Sequence, residues 1–322
     1  MIVGQEGYRY QPLDDWMRLP AGWVVEDLPG IAVGPDDSVY MFHRGPHPVI
    51  VLDRDGEVKA SWGDGLFKRP HSIRVDERGM VYCVDDHNHV IRKFTKEGEL
   101  VLTLGTPGRG SDTGVEDMFY RTIKRSAGPF NCVTDIAFAR NGDLFVSDGY
   151  GNARVHHFSK DGELIHSWGD PGAAPGQFNV PHSVVVDGAG RVLVADRENS
   201  RVQVFTEEGE LLQAWSDTNR PASLVMDGKG NVVVGEFGFN TGSMHAGDPV
   251  PQGRPTYARI TVRSPQGEVL SGCGGPDMCA PGSFWAPHCI GIDSRQDLYV
   301  GEVSKSTRAP ASCHVVQKLV RQ

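Results

Sequence analysis

Apolar and polar residues alternate through most of the chain in short runs, and nearly every run closes on an acidic residue or a glycine-bearing turn. A representative stretch reads His71-Ser72-Ile73-Arg74-Val75-Asp76, then the turn Glu77-Arg78-Gly79, then Met80-Val81-Tyr82-Cys83-Val84-Asp85. Period-two patterning with Val, Ile, Tyr and Phe enriched predicts strands, and the Asp- and Gly-containing breaks predict hairpins between them. The stretch returns from His182 to Asp196 and from His288 to Glu302 in the same register. Three more copies keep the frame but lack the histidine, with Gly30, Thr134 and Ala222 at its position. A repeat of roughly 40 residues carrying three or four strands is the pattern of a β-propeller blade, so the expected fold is an all-β, six-bladed β-propeller.

That fold gives the histidines a common setting. The first strand of each propeller blade lies beside the central channel, so equivalent positions form a ring. The order Gly30, His71, Thr134, His182, Ala222, His288 puts histidine in every second blade. On a six-fold ring these three would stand about 120 degrees apart and point at one another. Such a facial three-nitrogen set leaves outer positions open, as a catalytic metal requires. The competing reading is that each histidine only packs at the start of its strand.

The blades begin near residues 28, 69, 132, 180, 220 and 286, within a single domain spanning 1–322. The last repeat contains only three strands and ends in His314-Val315-Val316-Gln317-Lys318-Leu319-Val320. Unpaired strand edges invite aggregation. A strand within Tyr8–Trp16, in the closing segment 1–25, is therefore expected to complete the final blade, so that strands from both termini close the ring. Departures from the repeat fall at Thr106–Phe130, after Glu236, and at Gly272–Trp285. Long irregular insertions in a regular repeat tend to carry binding function.

Composition narrows the function classes. The 40 glycines and 21 prolines suit a turn-rich all-β protein. A net charge of −9 with no Lys/Arg block argues against nucleic acid as a partner. No apolar run reaches membrane-spanning length, so no membrane association is expected. The first ten residues lack the basic-then-apolar order of an export signal, which points to a cytoplasmic protein. Six cysteines in that setting are expected as reduced thiols. In an oxidising compartment Cys273 and Cys279 are the candidate pair, and a four-cysteine zinc site with Cys289 and Cys313 is a weaker alternative.

Further chemistry surrounds the histidine register. Aligning the second strands puts Arg44, Asp86, Gly149, Arg197, Phe237 and Val303 at one position, just after the acidic residue. Arg44 and Arg197, on blades one and four, would face each other across the axis. A guanidinium fork suits a carboxylate, so the expected partner is a small anionic substrate. His43 replaces the acid in blade one, which leaves Arg44 without its partner within the repeat. Tyr150 follows Asp148-Gly149, and a tyrosine beside a divalent cation can lose its proton well below the ordinary pKa of about 10. Taken singly, an arginine here is more often a surface ion pair and the tyrosine more often a packing residue. His156, His157 and His166 read as strand residues, and His87, His89 and His245 as loop residues.

These strings resemble a known family. Phe42-His43-Arg44-Gly45, Pro70-His71-Ser72-Ile73, Ser147-Asp148-Gly149-Tyr150, Val180-Pro181-His182-Ser183 and Ala195-Asp196-Arg197-Glu198-Asn199 are similar to the lyase domain of peptidylglycine α-amidating enzymes, over about residues 28–320. That family is a six-bladed propeller of the NHL-repeat type which cleaves the C–N bond of a peptidyl α-hydroxyglycine to an amide and glyoxylate. The resemblance implies His71, His182 and His288 as ligands of zinc or another divalent transition metal, Tyr150 as the catalytic tyrosine, and Arg44 and Arg197 as active-site arginines.

Two departures qualify it. The acidic residue that follows the family's last ligand histidine, associated with a structural calcium, is here Cys289; calcium takes oxygen ligands, so the resemblance does not bring that calcium with it. The family's disulfide beside the tyrosine is also missing, with Asn131 and Gly151 near its places. With no copper monooxygenase domain ahead of the propeller, the expected substrate is a small N-substituted α-hydroxy acid or related carbinolamine rather than a peptide hormone. The alternatives are a metal-dependent lactonase or other hydrolase on the same fold, and a propeller that only binds a protein partner.

Overall fold

The computed structural model describes residues 1–13, 15–240 and 253–322; the loop reading of His245 lies outside the described residues. The chain is an all-β six-bladed propeller. Its six sheets have four strands each, and the described residues add only three single-turn 3-10 helices. The first strands are Gly30–Val33, Pro70–Val75, Val133–Phe138, Pro181–Val186, Pro221–Met226 and Pro287–Ile292, within two residues of the starts that the repeat predicts.

The blades divide between two compact units. One unit, Trp62–Thr218, holds the sheets that begin at Pro70, Val133 and Pro181. Their first strands pack side by side, while buried clusters fill the spaces between sheets, one around Phe130, Ile136, Val146 and Phe158 and another around Phe145, Phe178, Val184 and Phe205. The aliphatic alternation builds these layers, because every second residue of a strand faces the same neighbour.

The other unit joins Met1–Ser61 to Asn219–Gln322. Here the strand Tyr10–Leu13 pairs antiparallel with Val316–Arg321, with Tyr10 opposite Arg321 and Leu13 opposite Lys318. The final blade is thus closed by strands from both termini, as its missing fourth strand required. Tyr8, Tyr10, Ile260, Phe284 and Leu319 pack in one cluster that buries this junction.

In five of the six blades the acidic residue ending the second strand has a structural task. The Asp85 carboxylate accepts the backbone N–H groups of Lys68 and Arg69, Asp148 accepts that of Asn131, Asp196 that of Asn179, Glu236 that of Asn219, and Glu302 those of Trp285 and Ala286. Each acid therefore staples the segment that leads into the first strand of its own blade, satisfying backbone donors that would otherwise be buried unpaired. Burial raises the Asp196 carboxyl to about 6 and the Glu302 carboxyl to about 7 against these hydrogen bonds.

The cysteines require a correction. Cys279 is disulfide-bonded to Cys313, with Cα atoms 4.3 Å apart, and not to Cys273. Cys273 ends the strand Val269–Cys273 and is a free thiol, whereas Cys279 sits in the following excursion, which folds onto the turn holding Cys313. Cys289 lies on a first strand with its thiol 3.2 Å from the Leu28 carbonyl. The six reduced thiols therefore become four, Cys83, Cys132, Cys273 and Cys289, and no four-cysteine set assembles among the described residues. No helix among the described residues is long and apolar enough to cross a membrane.

Candidate active site

Each of the three register histidines is the second residue of its first strand, and each falls at a β-bulge. Pairing with the second strand slips between Pro70 and Ser72, between Pro181 and Ser183, and between Pro287 and Cys289. A bulge frees one residue from the ladder and re-aims its side chain. All three imidazoles are buried.

His71, His182, Tyr150 and Arg197 come together in the unit Trp62–Thr218. The Tyr150 hydroxyl oxygen lies 3.1 Å from His71 Nε2 and 2.9 Å from His182 Nε2. Arg197 Nη1 donates to the same oxygen at 3.3 Å, and its guanidinium carbon stands 5.3 Å from the tyrosine ring centroid. The His71 tautomer follows from its other nitrogen: Nδ1 is 2.6 Å from the Thr134 carbonyl, which can only accept, so Nδ1 carries the proton and Nε2 offers a lone pair. The Tyr150 hydroxyl proton can therefore go to His71 Nε2.

Arg197 is the most enclosed charge of this group. It donates through Nε to Glu198 at 2.7 Å, and its side chain is 7% exposed. Burial by itself would lower its pKa, but Tyr150 and Glu198 outweigh that and hold the guanidinium above its ordinary value.

His288 and Arg44 belong to the other unit. His288 repeats the His71 arrangement, with Nδ1 2.8 Å from the Pro29 carbonyl, so its Nε2 lone pair is likewise turned away from the backbone. Phe237 packs against its ring at 5.8 Å. Arg44 finds its partners outside its own repeat: Asp27 Oδ2 is 3.5 Å from Nη1, Ser306 Oγ is 3.2 Å away, and the Arg44 N–H donates to the Asp27 carbonyl. His43, at the acid's position, is fully buried and held with Nε2 2.9 Å from the His47 carbonyl, and burial lowers its pKa.

The register analysis misses the roles of three residues, two that hold the histidine strands and one beside Tyr150. Asp135 is the first. Its buried carboxylate accepts from Ser72 Oγ at 2.5 Å, Ser183 Oγ at 2.7 Å, and Arg74 through Nε at 3.0 Å and Nη2 at 2.5 Å. The serine of the Pro-His-Ser phrase thus ties two histidine-bearing strands to the blade between them. Thr134 is the second, since its hydroxyl donates to the Pro181 carbonyl at 2.7 Å while its own carbonyl fixes His71. Serine after the histidine at Ser72 and Ser183, with Thr134-Asp135 in the blade between them, is the signal that could have found both. The third is Arg69, whose guanidinium carbon is 5.7 Å from the Tyr150 ring centroid.

The insertion 106–130 supports the tyrosine. Tyr120 and Ile123 cluster with Val180, and Phe119 and Tyr150 pack against them. Thr113 Oγ1 donates to the Gly151 carbonyl at 2.6 Å, and the Gly151 N–H donates to the Asn131 carbonyl at 3.0 Å. Asn131 and Gly151, which stand near the family's disulfide positions, are therefore in direct contact. Of the remaining histidines, His156 and His157 lie on the strand Arg154–Phe158 and His166 on Leu164–Trp168, while His87 and His89 occupy and cap a single 3-10 turn.

The chain is a β-propeller in which residues 178–205, including His182, Asp196 and Arg197, match the NHL repeat. It is related, at about 30% identity over about half its length, to amidating lyases and monooxygenases. It is 34% identical over 176 residues to peptidyl-alpha-hydroxyglycine alpha-amidating lyase 1 of Drosophila melanogaster, covering 49% of this chain and 29% of that one. With peptidyl-glycine alpha-amidating monooxygenase B of Xenopus laevis it shares 29% identity over 205 residues, 54% of this chain and 22% of the relative. NHL repeat-containing protein 3 of Mus musculus is 32% identical over 211 residues, 58% of this chain and 55% of the relative. This chain thus matches only about a fifth of the length of the monooxygenase.

Solved structures agree on the fold. Virginiamycin B lyase from Staphylococcus aureus superposes with a TM-score of 0.59 at 13% identity, covering 98% of this chain and all of that one. A gluconolactonase from Xanthomonas campestris gives 0.61 at 14% identity, covering 98% and 91%.

Proposed function

We propose that this protein is a metal-dependent carbon–nitrogen lyase that cleaves an N-substituted α-hydroxyglycine, or a similar carbinolamide, to an amide and glyoxylate. The observation that carries the reading is the Tyr150 oxygen set between two imidazole Nε2 atoms, with a buried guanidinium on the same oxygen. Relatives named for this activity add support.

His71, His182 and His288 are the residues that would hold the ion. The donor set fits: buried neutral imidazoles whose Nδ1 protons are given to backbone carbonyls, at His71 and His288, present Nε2 lone pairs, the arrangement that suits zinc. A bound divalent ion supplies Lewis acidity toward the substrate's hydroxyl.

The chain's own groups move the proton. Tyr150, in its deprotonated form, takes the hydroxyl proton of the α-carbon. The O–H electron pair becomes the second bond of the aldehyde, the C–N bond breaks, and its pair passes to nitrogen. Tyr150 returns the proton to that nitrogen, so amide and glyoxylate leave with atoms balanced. Arg197 donates to the tyrosine oxygen while it bears charge, and its own burial keeps the geometry from relaxing. We assign Arg44, steadied by Asp27 and Ser306, to the substrate's carboxylate.

Metal analysis and glyoxylate release test this together. The purified protein is expected to carry about one zinc or similar ion per chain and His182→Ala to lose it. Tyr150→Phe is expected to keep the metal and lose roughly 10²–10⁴-fold in turnover. Absence of metal even after adding zinc, or full turnover in Tyr150→Phe, would remove the basis of the mechanism and favour a propeller that binds a partner.

A further inference from the structure

Arg69 immediately precedes the Pro70-His71 pair and approaches Tyr150 from a blade other than the one that supplies Arg197. Its backbone N–H is fixed by Asp85 Oδ1 at 2.8 Å, which anchors the residue at the entry to the ligand strand. Its Nη1 lies 2.5 Å from His87 Nε2 and 3.5 Å from Asp86 Oδ2. No partner among the described residues meets Nε or Nη2. A guanidinium engaged at one nitrogen keeps the Nε/Nη2 edge, the pair of parallel N–H groups that matches a carboxylate in bidentate fashion. The side chain is 25% exposed, against 7% for Arg197. Two guanidiniums beside one tyrosine therefore divide the work: the enclosed one is spent on Tyr150 and Glu198, and the accessible one has an unused fork.

We propose that Arg69 is a specificity-determining residue that binds a carboxylate of the substrate, in addition to Arg44. Resting on the lyase reading above, this makes a free carboxylate on the carbon that becomes the aldehyde a requirement, and glyoxylate itself a ligand of the site. Asp86 pairs with Nη1, at 3.5 Å, and so leaves the Nε/Nη2 edge open.

The test compares the wild type with Arg69→Gln and Arg69→Lys, all zinc-loaded. Isothermal calorimetry with glyoxylate is expected to show binding weakened roughly ten- to a hundredfold in Arg69→Gln, and intermediate binding in Arg69→Lys, which keeps the charge without the fork. On an N-acyl α-hydroxyglycine, Arg69→Gln is expected to raise KM by a similar factor with kcat little changed, and on the methyl ester to match the wild type. Unchanged glyoxylate binding, or an equal loss on acid and ester, would overturn the assignment. If the wild type releases no glyoxylate from the acid, the lyase reading fails, and the calorimetry alone decides whether Arg69 binds a carboxylate. Matching thermal melting of the three proteins separates these outcomes from misfolding.

Discussion

Gly149 joins the strand Leu144–Asp148 to Tyr150, and it has no room for a side chain. A Cβ built there meets the Pro181 carbonyl oxygen at 2.2 Å, the carbonyl carbon at 2.9 Å and the Pro181 nitrogen at 3.1 Å. Ordinary contact begins at 3.4 Å, so Gly149→Ala must open a gap of 3.4 − 2.2, or 1.2 Å. Both sides of the clash are backbone, so no rotamer change relieves it. Pro181 precedes His182, and Gly149 precedes Tyr150, whose oxygen is 2.9 Å from His182 Nε2. The separation that relieves the clash is therefore the one that pulls the tyrosine from its imidazole. Overpacking of this kind costs about 1–3 kcal/mol, or about 2–6 °C in Tm at roughly 2 °C per kcal/mol for a chain of this size. A 1 Å displacement of a reacting group costs up to about 100-fold in rate. Gly188→Ala is the control, since its nearest neighbour is Arg140 Nη2 at 4.0 Å; its Tm is expected to stay level or rise slightly. Thermal melting and glyoxylate release, measured side by side, check both variants. If Gly149→Ala melts with the wild type and keeps its turnover, the close approach of the two strands does not set the tyrosine.

Two further outcomes follow from buried acids. Asp135→Ala removes the carboxylate that Arg74 and two serine hydroxyls share, so it is expected to lose about 3–5 kcal/mol in urea unfolding and to retain less metal; an unaltered midpoint would show that the bridge between the histidine-bearing strands is dispensable. Glu302, raised to about 7 in the folded chain from an ordinary value of about 4.3, binds its proton more tightly folded than unfolded. Its contribution to stability is complete below about pH 4.3 and is lost as pH rises to 7. Glu302→Gln keeps an acceptor for the Trp285 and Ala286 N–H groups and removes the titration, so its Tm should gain on the wild type across that window. Parallel Tm curves for the two proteins between pH 4 and 7.5 would refute the shift.

The alternation of apolar and polar residues specified six blades, their starting points and the strand borrowed from the N terminus, because side-chain direction in a strand depends only on period two and on the turns beside it. The histidine register was legible for the same reason: one repeat frame takes the same bulge at Pro70–Ser72, Pro181–Ser183 and Pro287–Cys289, and also at Val133–Asp135 and Pro221–Ser223. What crosses from blade to blade was not. The bridge from Asp135 to Ser72 and Ser183, the Asp27 partner of Arg44, the pairing of Cys279 with Cys313 and the place of Arg69 beside Tyr150 all join residues from different repeats or excursions. Such contacts depend on how far each strand slides and twists against the next, and no local pattern encodes that. Tertiary packing alone decided which of several plausible arginines reached the tyrosine, and which cysteine met which.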